Sequence, residues 1–314
     1  MQIIITGGAG FLGQRLAKAL LKNAVDFEVL VLADIILPAN PSNDSRVKCQ
    51  QVDLSKEGAA KNLITSRSAI VFHLAAVVSS QAEKEFDLGY TVNLDITRVL
   101  LEACRHHNSQ IKFIFSSSLA VYGGTLPALV TDMTAVTPRS SYGTQKAMGE
   151  LLVNDYSRKG FVDGRVLRLP TICVRPGHPN LAASSFVSSI IREPLNGEQA
   201  VCPVSTDLAL WLSSPDTIIE NIIKAAVFNA AAFEGWRTVN LPGIGVTVRE
   251  MLASLERITG KEAVDRVKFI PDESINKIVS SWPGAIDNSR AIEMGFKADN
   301  CFEDFITQFI TTNK

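Results

Sequence analysis

The sequence predicts an α/β fold: a doubly wound parallel sheet with helices on both faces, followed by a smaller C-terminal α/β lobe. Three observations carry this reading. Apolar, β-branched runs alternate with helix-like segments through roughly the first 170 residues, the pattern of a parallel sheet buried on both sides. The first of these runs breaks directly into glycines spaced Gly-x-x-Gly-x-x-Gly, at Gly7, Gly10 and Gly13. At 314 residues and 46% hydrophobic, the chain can bury a large core, while a net charge of −1 with 20% charged residues leaves no basic surface to track a nucleic acid.

The opening strand is 2–6, and a helix is expected over Gln14–Lys22 beyond the glycines. Strand, glycine turn and helix in that order form a phosphate-binding turn. Gly7 permits the tight turn, Gly10 lets the backbone approach a pyrophosphate, and Gly13 lets helix and strand pack closely. The helix N-terminus aims free N–H groups at the anion, which brings Phe11 and Leu12 into the expected cofactor site. The second strand, 27–33, closes on Asp34, about 20 residues past the glycines, where a carboxylate accepts hydrogen bonds from the adenosine ribose and repels a 2′-phosphate. No Arg or Lys occurs from Asp34 to Asn43, so NAD is expected rather than NADP. Strand 47–52 leads to Asp53 and Leu54, placed near the adenine edge.

Strand 69–75 is followed by a long crossover, Ala82 to His107, with Leu94, Val99, Leu100 and Ala103 at helical spacing. His106 and His107 end it as partners of the helix dipole; no carboxylate–histidine cluster suggests a metal. Strand 111–117 runs into Ser116–Ser118, and strand 165–170 completes the series. Residues 1–170 therefore read as a Rossmann NAD-binding domain that also receives later segments, and 171–314 mainly as a substrate-binding lobe. In that lobe the patterns predict a helix over 182–192, a β segment over 200–212, a helix opened by Ser214-Pro215-Asp216, and a capping-box helix from Thr247. A strand at 267–271 and helices near 288–295 and 302–312 follow.

The chemistry gathers at Tyr142-Gly143-Thr144-Gln145-Lys146. Of four tyrosines, only Tyr142 has a lysine four residues later, on the same helical face. An ammonium beside a phenol favours the phenolate, which suits Tyr142 to general acid/base work, and Lys146 can also reach the nicotinamide ribose. The serines at the tip of the fifth strand open onto the nucleotide crevice, where a hydroxyl can hold a substrate oxygen. Two arginines, Arg175 and Arg192, lie in the region expected to line the cleft, where a guanidinium could pair with a carboxylate if the substrate carries one, with a slight preference for Arg192.

With these motifs in this order, the chain closely resembles the extended short-chain dehydrogenase/reductase family over essentially its whole length. The resemblance implies Gly7, Gly10 and Gly13 at the pyrophosphate, Asp34 at the ribose, and a catalytic triad of Ser118, Tyr142 and Lys146. His73-Leu74-Ala75-Ala76 matches the stretch along the cofactor, Asn93 the asparagine of the proton-relay helix, and Pro170 the residue whose surroundings contact the nicotinamide. Leu119-Ala120 stands where the family's 4,6-dehydratases carry an acidic pair. Pro170-Thr171-Ile172 replaces the Asn-Pro or Asn-Val turn usual in its nucleotide-sugar epimerases. The segments around Tyr122, Tyr142, Tyr156 and Arg168 look like a sugar-acid-oxidising branch. That implies NAD-dependent oxidation of the C2 hydroxyl of a four-carbon sugar acid, D-erythronate to 2-oxo-D-erythronate, by a homodimer. The alternatives are a nucleotide-sugar epimerase that retains its NAD and a catalytically silent NAD sensor.

Five scattered cysteines without C-x-x-C spacing disfavour a disulfide framework or a structural zinc site. The apolar stretch Ala69–Val78 is too short to span a bilayer, and a first strand beginning at residue two leaves no expected signal peptide. A cytoplasmic enzyme without membrane or nucleic-acid partners is expected.

Overall fold

The order in which the strands pair sets where a ligand can enter. The computed structural model describes residues 1–177, 182–233 and 235–313. Its main sheet has seven strands: β1 (Gln2–Thr6), β2 (Val29–Asp34), β3 (Val47–Gln51), β4 (Ser68–His73), β5 (Lys112–Ser118), β6 (Asp163–Leu169) and, from much later in the chain, β10 (Thr238–Asn240). They lie in the order β3-β2-β1-β4-β5-β6-β10 with every pair parallel. The order reverses between β1 and β4, so the loops leaving these two strands diverge and open a crevice at their C-terminal ends.

Alternation along the strands feeds two cores. Ile3, Ile5, Leu30 and Leu32 pack with Leu16 and Leu20 and with Ile218 and Ile222 of the Pro215–Val227 helix. Ile4, Val31, Phe113 and Phe115 face the other way, onto Leu100 and Leu101 of the Ile96–His107 helix and Val153 of the Ser141–Arg158 helix. Residues beyond 170 thus serve both layers, since Pro215–Val227 covers the main sheet and β10 extends it.

The rest of the chain builds a second lobe. β9 (Ala209–Ser213) pairs antiparallel with β11 (Ile244–Thr247) and parallel with β7 (Thr171–Ile172), while β8 (Ala200–Cys202) pairs with β12 (Val267–Phe269). Its own core gathers Ile190, Ile191, Leu210, Leu212, Met251, Leu255, Phe302 and Phe305. The β segment expected over 200–212 is therefore two strands in different sheets, joined by a loop.

The crossover also departs from the sequence reading. In place of one helix from Ala82 to His107 there are Ser79–Lys84, Phe86–Tyr90, a π-type turn at Thr91–Asp95, and Ile96–His107. Glu85 leaves helical geometry, at φ −116° and ψ 74°. The π turn carries Asn93, whose amide both accepts from Val77 N (2.9 Å) and donates to Val77 O (3.1 Å), tying the helix to the chain beyond β4. A wide turn of this kind repositions one side chain without breaking the helix.

The glycine turn depends on contacts too close for any side chain. Gly7 has φ +73°, and a Cβ on Gly13 would overlap the Gly7 carbonyl oxygen and lie 2.9 Å from Gly8 Cα. Gly13→Ala should therefore push the helix off the turn, lowering stability by about 1–3 kcal/mol and weakening dinucleotide binding. Thermal melts and a cofactor titration check both; an unchanged melt would show that the turn relaxes freely.

Candidate active site

The crevice holds two adjoining cavities. The first, of about 230 Å³, is lined by Gly7, Gly10, Asp34, Asp53, Leu54 and Ala75, among others. Its floor is bare backbone: a Cβ at Gly7 would stand 2.8 Å from Ala75 N, and one at Gly10 would stand 3.2 Å from Gly7 O. Asp34 ends β2 here and accepts a hydrogen bond from Ala9 N at 3.0 Å, so the acid and the glycine turn brace each other. Gln14 Nε2 donates to Gly8 O at 2.7 Å on the other side. A floor without side chains beneath an open helix N-terminus, with a carboxylate at the far rim, fits a dinucleotide.

Asp53 lines this cavity, but its carboxylate serves its own turn, accepting from Ser55 N (3.0 Å) and Ser55 Oγ (2.6 Å). Those bonds hold its pKa below the usual value. Phe11 opens the Phe11–Ala19 helix with the Arg15 guanidinium 5.1 Å from its ring centroid. It borders neither cavity, whereas Leu12 lines the second.

The second cavity, of about 220 Å³, is lined by Ser118, Tyr142, Lys146, Pro170, Arg175 and Trp282, among others. These residues come from β5, the Ser141–Arg158 helix, the turn between β6 and β7, and the second lobe. The helix is capped by Ser140, whose hydroxyl accepts from Gly143 N at 3.2 Å. It lies so near the chain after β5 that a Cβ on Gly143 would overlap the Ala120 carbonyl oxygen, and one on Gly149 would sit 2.7 Å from the Phe115 ring. Glycines at these two positions let Tyr142 and Lys146 reach the end of β5.

The three serines there divide their work. Ser116 Oγ donates to His73 O at 2.9 Å, and Ser117 Oγ donates to Glu150 Oε1 at 2.5 Å. All three line the cavity, but only Ser118 is partly exposed; its hydroxyl accepts from Ala120 N at 3.1 Å and meets the Tyr142 phenol.

Electrostatics in this cavity differ from the sequence expectation. Burial pushes the Tyr142 pKa up to about 12, against smaller downward pulls from the Ser118 hydrogen bond and the Arg175 charge. Lys146 does not supply the pull expected of it, because its ammonium turns away to donate to Ser116 O at 2.8 Å. Its nitrogen lies 4.8 Å from the Phe115 ring centroid and 5.8 Å from that of Tyr142. Burial lowers the Lys146 pKa to about 7, opposed by the charge of Glu150.

Asn93 is buried outside both cavities, where besides Val77 it donates to Gln145 Oε1 at 2.7 Å. Of the two arginines, only Arg175 borders the cavity. No hydrogen bond or ion pair of its guanidinium is found among the described residues, and burial lowers its pKa. Arg192 is corrected on geometry: it is buried within the Ser185–Leu195 helix, paired with Glu193 at 2.6 Å, and donates to Arg175 O at 2.7 Å. It braces the backbone of Arg175 and does not face the cavity. Sequence reasoning missed Trp282, which no motif marks, and the buried pair Glu150–Arg168. A carboxylate one turn beyond Lys146 on the same face was the available signal for that pair.

Comparison with known proteins agrees with this geometry. Residues 3–212 match the model of the NAD dependent epimerase/dehydratase family. The chain is 56% identical over 311 residues to the D-erythronate dehydrogenase of Haemophilus influenzae, covering 99% of each chain. It is 48% identical over 318 residues to the D-erythronate dehydrogenase of Cupriavidus necator, covering 99% of this chain and 98% of that one. Among solved structures, a nucleoside-diphosphate-sugar epimerase from Agrobacterium tumefaciens superposes with a TM-score of 0.94 at 41% identity, over 99% of this chain and 94% of that one.

Replacing Asp34 tests the rim. Asp34→Ser removes a charged hydrogen-bond acceptor of roughly 1.5–3 kcal/mol, so NAD affinity should fall about ten- to a hundredfold and discrimination against NADP should shrink. Binding titrations with both cofactors check this, and an unchanged NAD/NADP ratio would remove Asp34 from the ribose site.

Proposed function

The chain belongs to the NAD dependent epimerase/dehydratase family and is an NAD-dependent dehydrogenase, and we propose that it oxidises the C2 hydroxyl of D-erythronate to 2-oxo-D-erythronate. The observation that carries this reading is Arg175: a cation without a partner among the described residues, in the same small cavity as Ser118, Tyr142 and Lys146. A half-buried guanidinium that no described residue pairs calls for an anionic substrate, and its planar fork matches a carboxylate. The full-length likeness to two D-erythronate dehydrogenases supports the same substrate.

Oxidising an alcohol removes a hydride and a proton. Bound NAD supplies the hydride acceptor. The chain's part is to hold the substrate and take the proton. Arg175 pairs with the substrate carboxylate, Ser118 Oγ donates to the reacting C2 oxygen, and Tyr142 Oη accepts the hydroxyl proton. A phenol that burial holds near a pKa of 12 needs positive charge nearby to do this at neutral pH. Arg175 provides it beside the phenol, with the Ser118 hydrogen bond pulling the same way, and Lys146, held on Ser116 O, would serve the nicotinamide ribose. Gly7, Gly10, Leu12 and Ala75 would line the path of the cofactor, with Gly13 seating the helix against the turn, while Asp34 would hold its ribose and Leu54 would lie beside its adenine.

This reading includes a homodimer formed through the Ile96–His107 and Ser141–Arg158 helices, supported by the exposed Leu151 on the second of them. It also includes a cytoplasmic location; no helix of the described residues is long and apolar enough to cross a membrane. The Agrobacterium relative's name favours a second reading, an epimerase that keeps its NAD. Net NADH formed from D-erythronate separates the two, since a dehydrogenase accumulates it and an epimerase does not.

Tyr142→Phe should keep the fold and NAD affinity while lowering kcat on the order of 10²–10⁴-fold; near-normal turnover would exclude Tyr142 as the base. Arg175→Met should lower kcat/KM for D-erythronate on the order of 10²–10³-fold with NAD binding intact. Steady-state kinetics beside an NAD titration check it, and wild-type efficiency would place the carboxylate elsewhere.

A further inference from the structure

Behind the cavity lies an ion pair that the reaction does not touch. Glu150 and Arg168 are 2% and 4% exposed. Arg168 donates to the two carboxylate oxygens of Glu150, from Nε at 2.9 Å and from Nη2 at 2.7 Å. Its remaining arm donates to the Tyr122 hydroxyl at 2.5 Å, and that hydroxyl donates to Asn240 Oδ1 at 3.0 Å. Burying two charges costs several kcal/mol per ion, so a pair like this is a weak source of stability and invites another explanation.

Its placement supplies one. Glu150 stands one turn beyond Lys146 on the same helix. Its Oε1 accepts from Ser117 Oγ at 2.5 Å, next in the chain to Ser118. Lys146 donates to Ser116 O at 2.8 Å. The helix therefore grips two consecutive residues at the end of β5, with a charge-assisted bond in the second grip.

We propose that Glu150, fixed by Arg168, is a positioning residue: its carboxylate locks the Ser116–Ser118 end of β5 onto the helix that carries Tyr142 and Lys146. This rests on the roles proposed above for Ser118, Tyr142 and Lys146. The charged and titratable groups around Lys146 are Glu150 and Tyr142 on its own helix, His73 on β4, and Arg175 beside Tyr142; Arg168 on β6 lies beyond, paired with Glu150. His73 is neutral, since burial lowers its pKa to about 3 while its ring bonds Thr6 and Thr97. Glu150 is thus the negative charge that opposes burial at Lys146. Without it, Lys146 loses its proton at lower pH, and activity that needs the ammonium declines earlier as pH rises.

The experiment is a titration of the Lys146 side-chain carbon resonance in the intact protein, assigned by its loss in Lys146→Met, run beside the pH profile of kcat. Glu150→Gln should lower the Lys146 midpoint by about one pH unit, move the descending limb of kcat the same way, and lower kcat more than it raises KM. Glu150→Asp keeps the charge and should restore the midpoint. Glu150→Gln alone strands the Arg168 charge, so Glu150→Gln/Arg168→Met is measured as well and should show a smaller movement in the same direction. A folded double variant with the wild-type midpoint and limb would overturn the proposal. If neither charge-removing variant folds, Ser117→Ala decides: it should lower kcat several-fold with the midpoint unchanged, and wild-type kcat would overturn the proposal. Retained turnover in Tyr142→Phe would instead sink the reading of the site itself, independently of Glu150.

Discussion

The site depends on one close contact, the seat of the Ser141–Arg158 helix on the end of β5. Gly143 and Gly149 bring the helix to a distance that no larger residue allows, because their missing side chains are replaced by the Ala120 carbonyl and the Phe115 ring. At that distance Lys146 reaches the carbonyl of Ser116, and Tyr142 meets Ser118. A helix standing even slightly farther off would still be a good helix on a good sheet, but its phenol and its ammonium would miss the strand end. The cost of the close seat is dehydration, and it explains why Tyr142 is held up and Lys146 held down in pKa.

The cofactor crevice rests on a second steric constraint of the same kind. Gly13 packs on the Gly7 carbonyl, and Gly7 packs on the backbone at Ala75, so the loops after β1 and β4 meet through backbone alone. Asp34 closes this arrangement by accepting from Ala9. Each part of the crevice comes from a different strand end, and the parallel sheet is what delivers them to one edge. The second lobe then contributes what the sheet cannot: Trp282 walls the cavity from that side, and Arg192 fixes the backbone from which Arg175 extends.

Much of this was legible in the sequence wherever the signal is local. The order of strands and helices through residue 170 follows from hydrophobic alternation. The observed strands Val29–Asp34 and Lys112–Ser118 differ from the expected 27–33 and 111–117 only at their ends. The Tyr142–Lys146 spacing and the glycine turn are likewise local. The crossover was misread as one helix because its periodicity is continuous; the π turn at Asn93 answers to Val77, in the loop after β4, and the chain also leaves helical geometry at Glu85.

What the sequence by itself determined is the class of fold, the dinucleotide turn and the acid beside it, since strand alternation, glycine spacing and a helical repeat are properties of neighbouring residues. Only the tertiary structure decided which arginine faces the cavity, which of three serines meets Tyr142, and what charge state burial favours for Tyr142 and Lys146. Arg175 and Arg192 are equivalent as letters. They part because Glu193 and the carbonyl of Arg175 satisfy one, while no described residue pairs with the other. Desolvation and pairing depend on every group that surrounds a side chain, and in this chain those groups come from segments as far apart as β1 and Trp282.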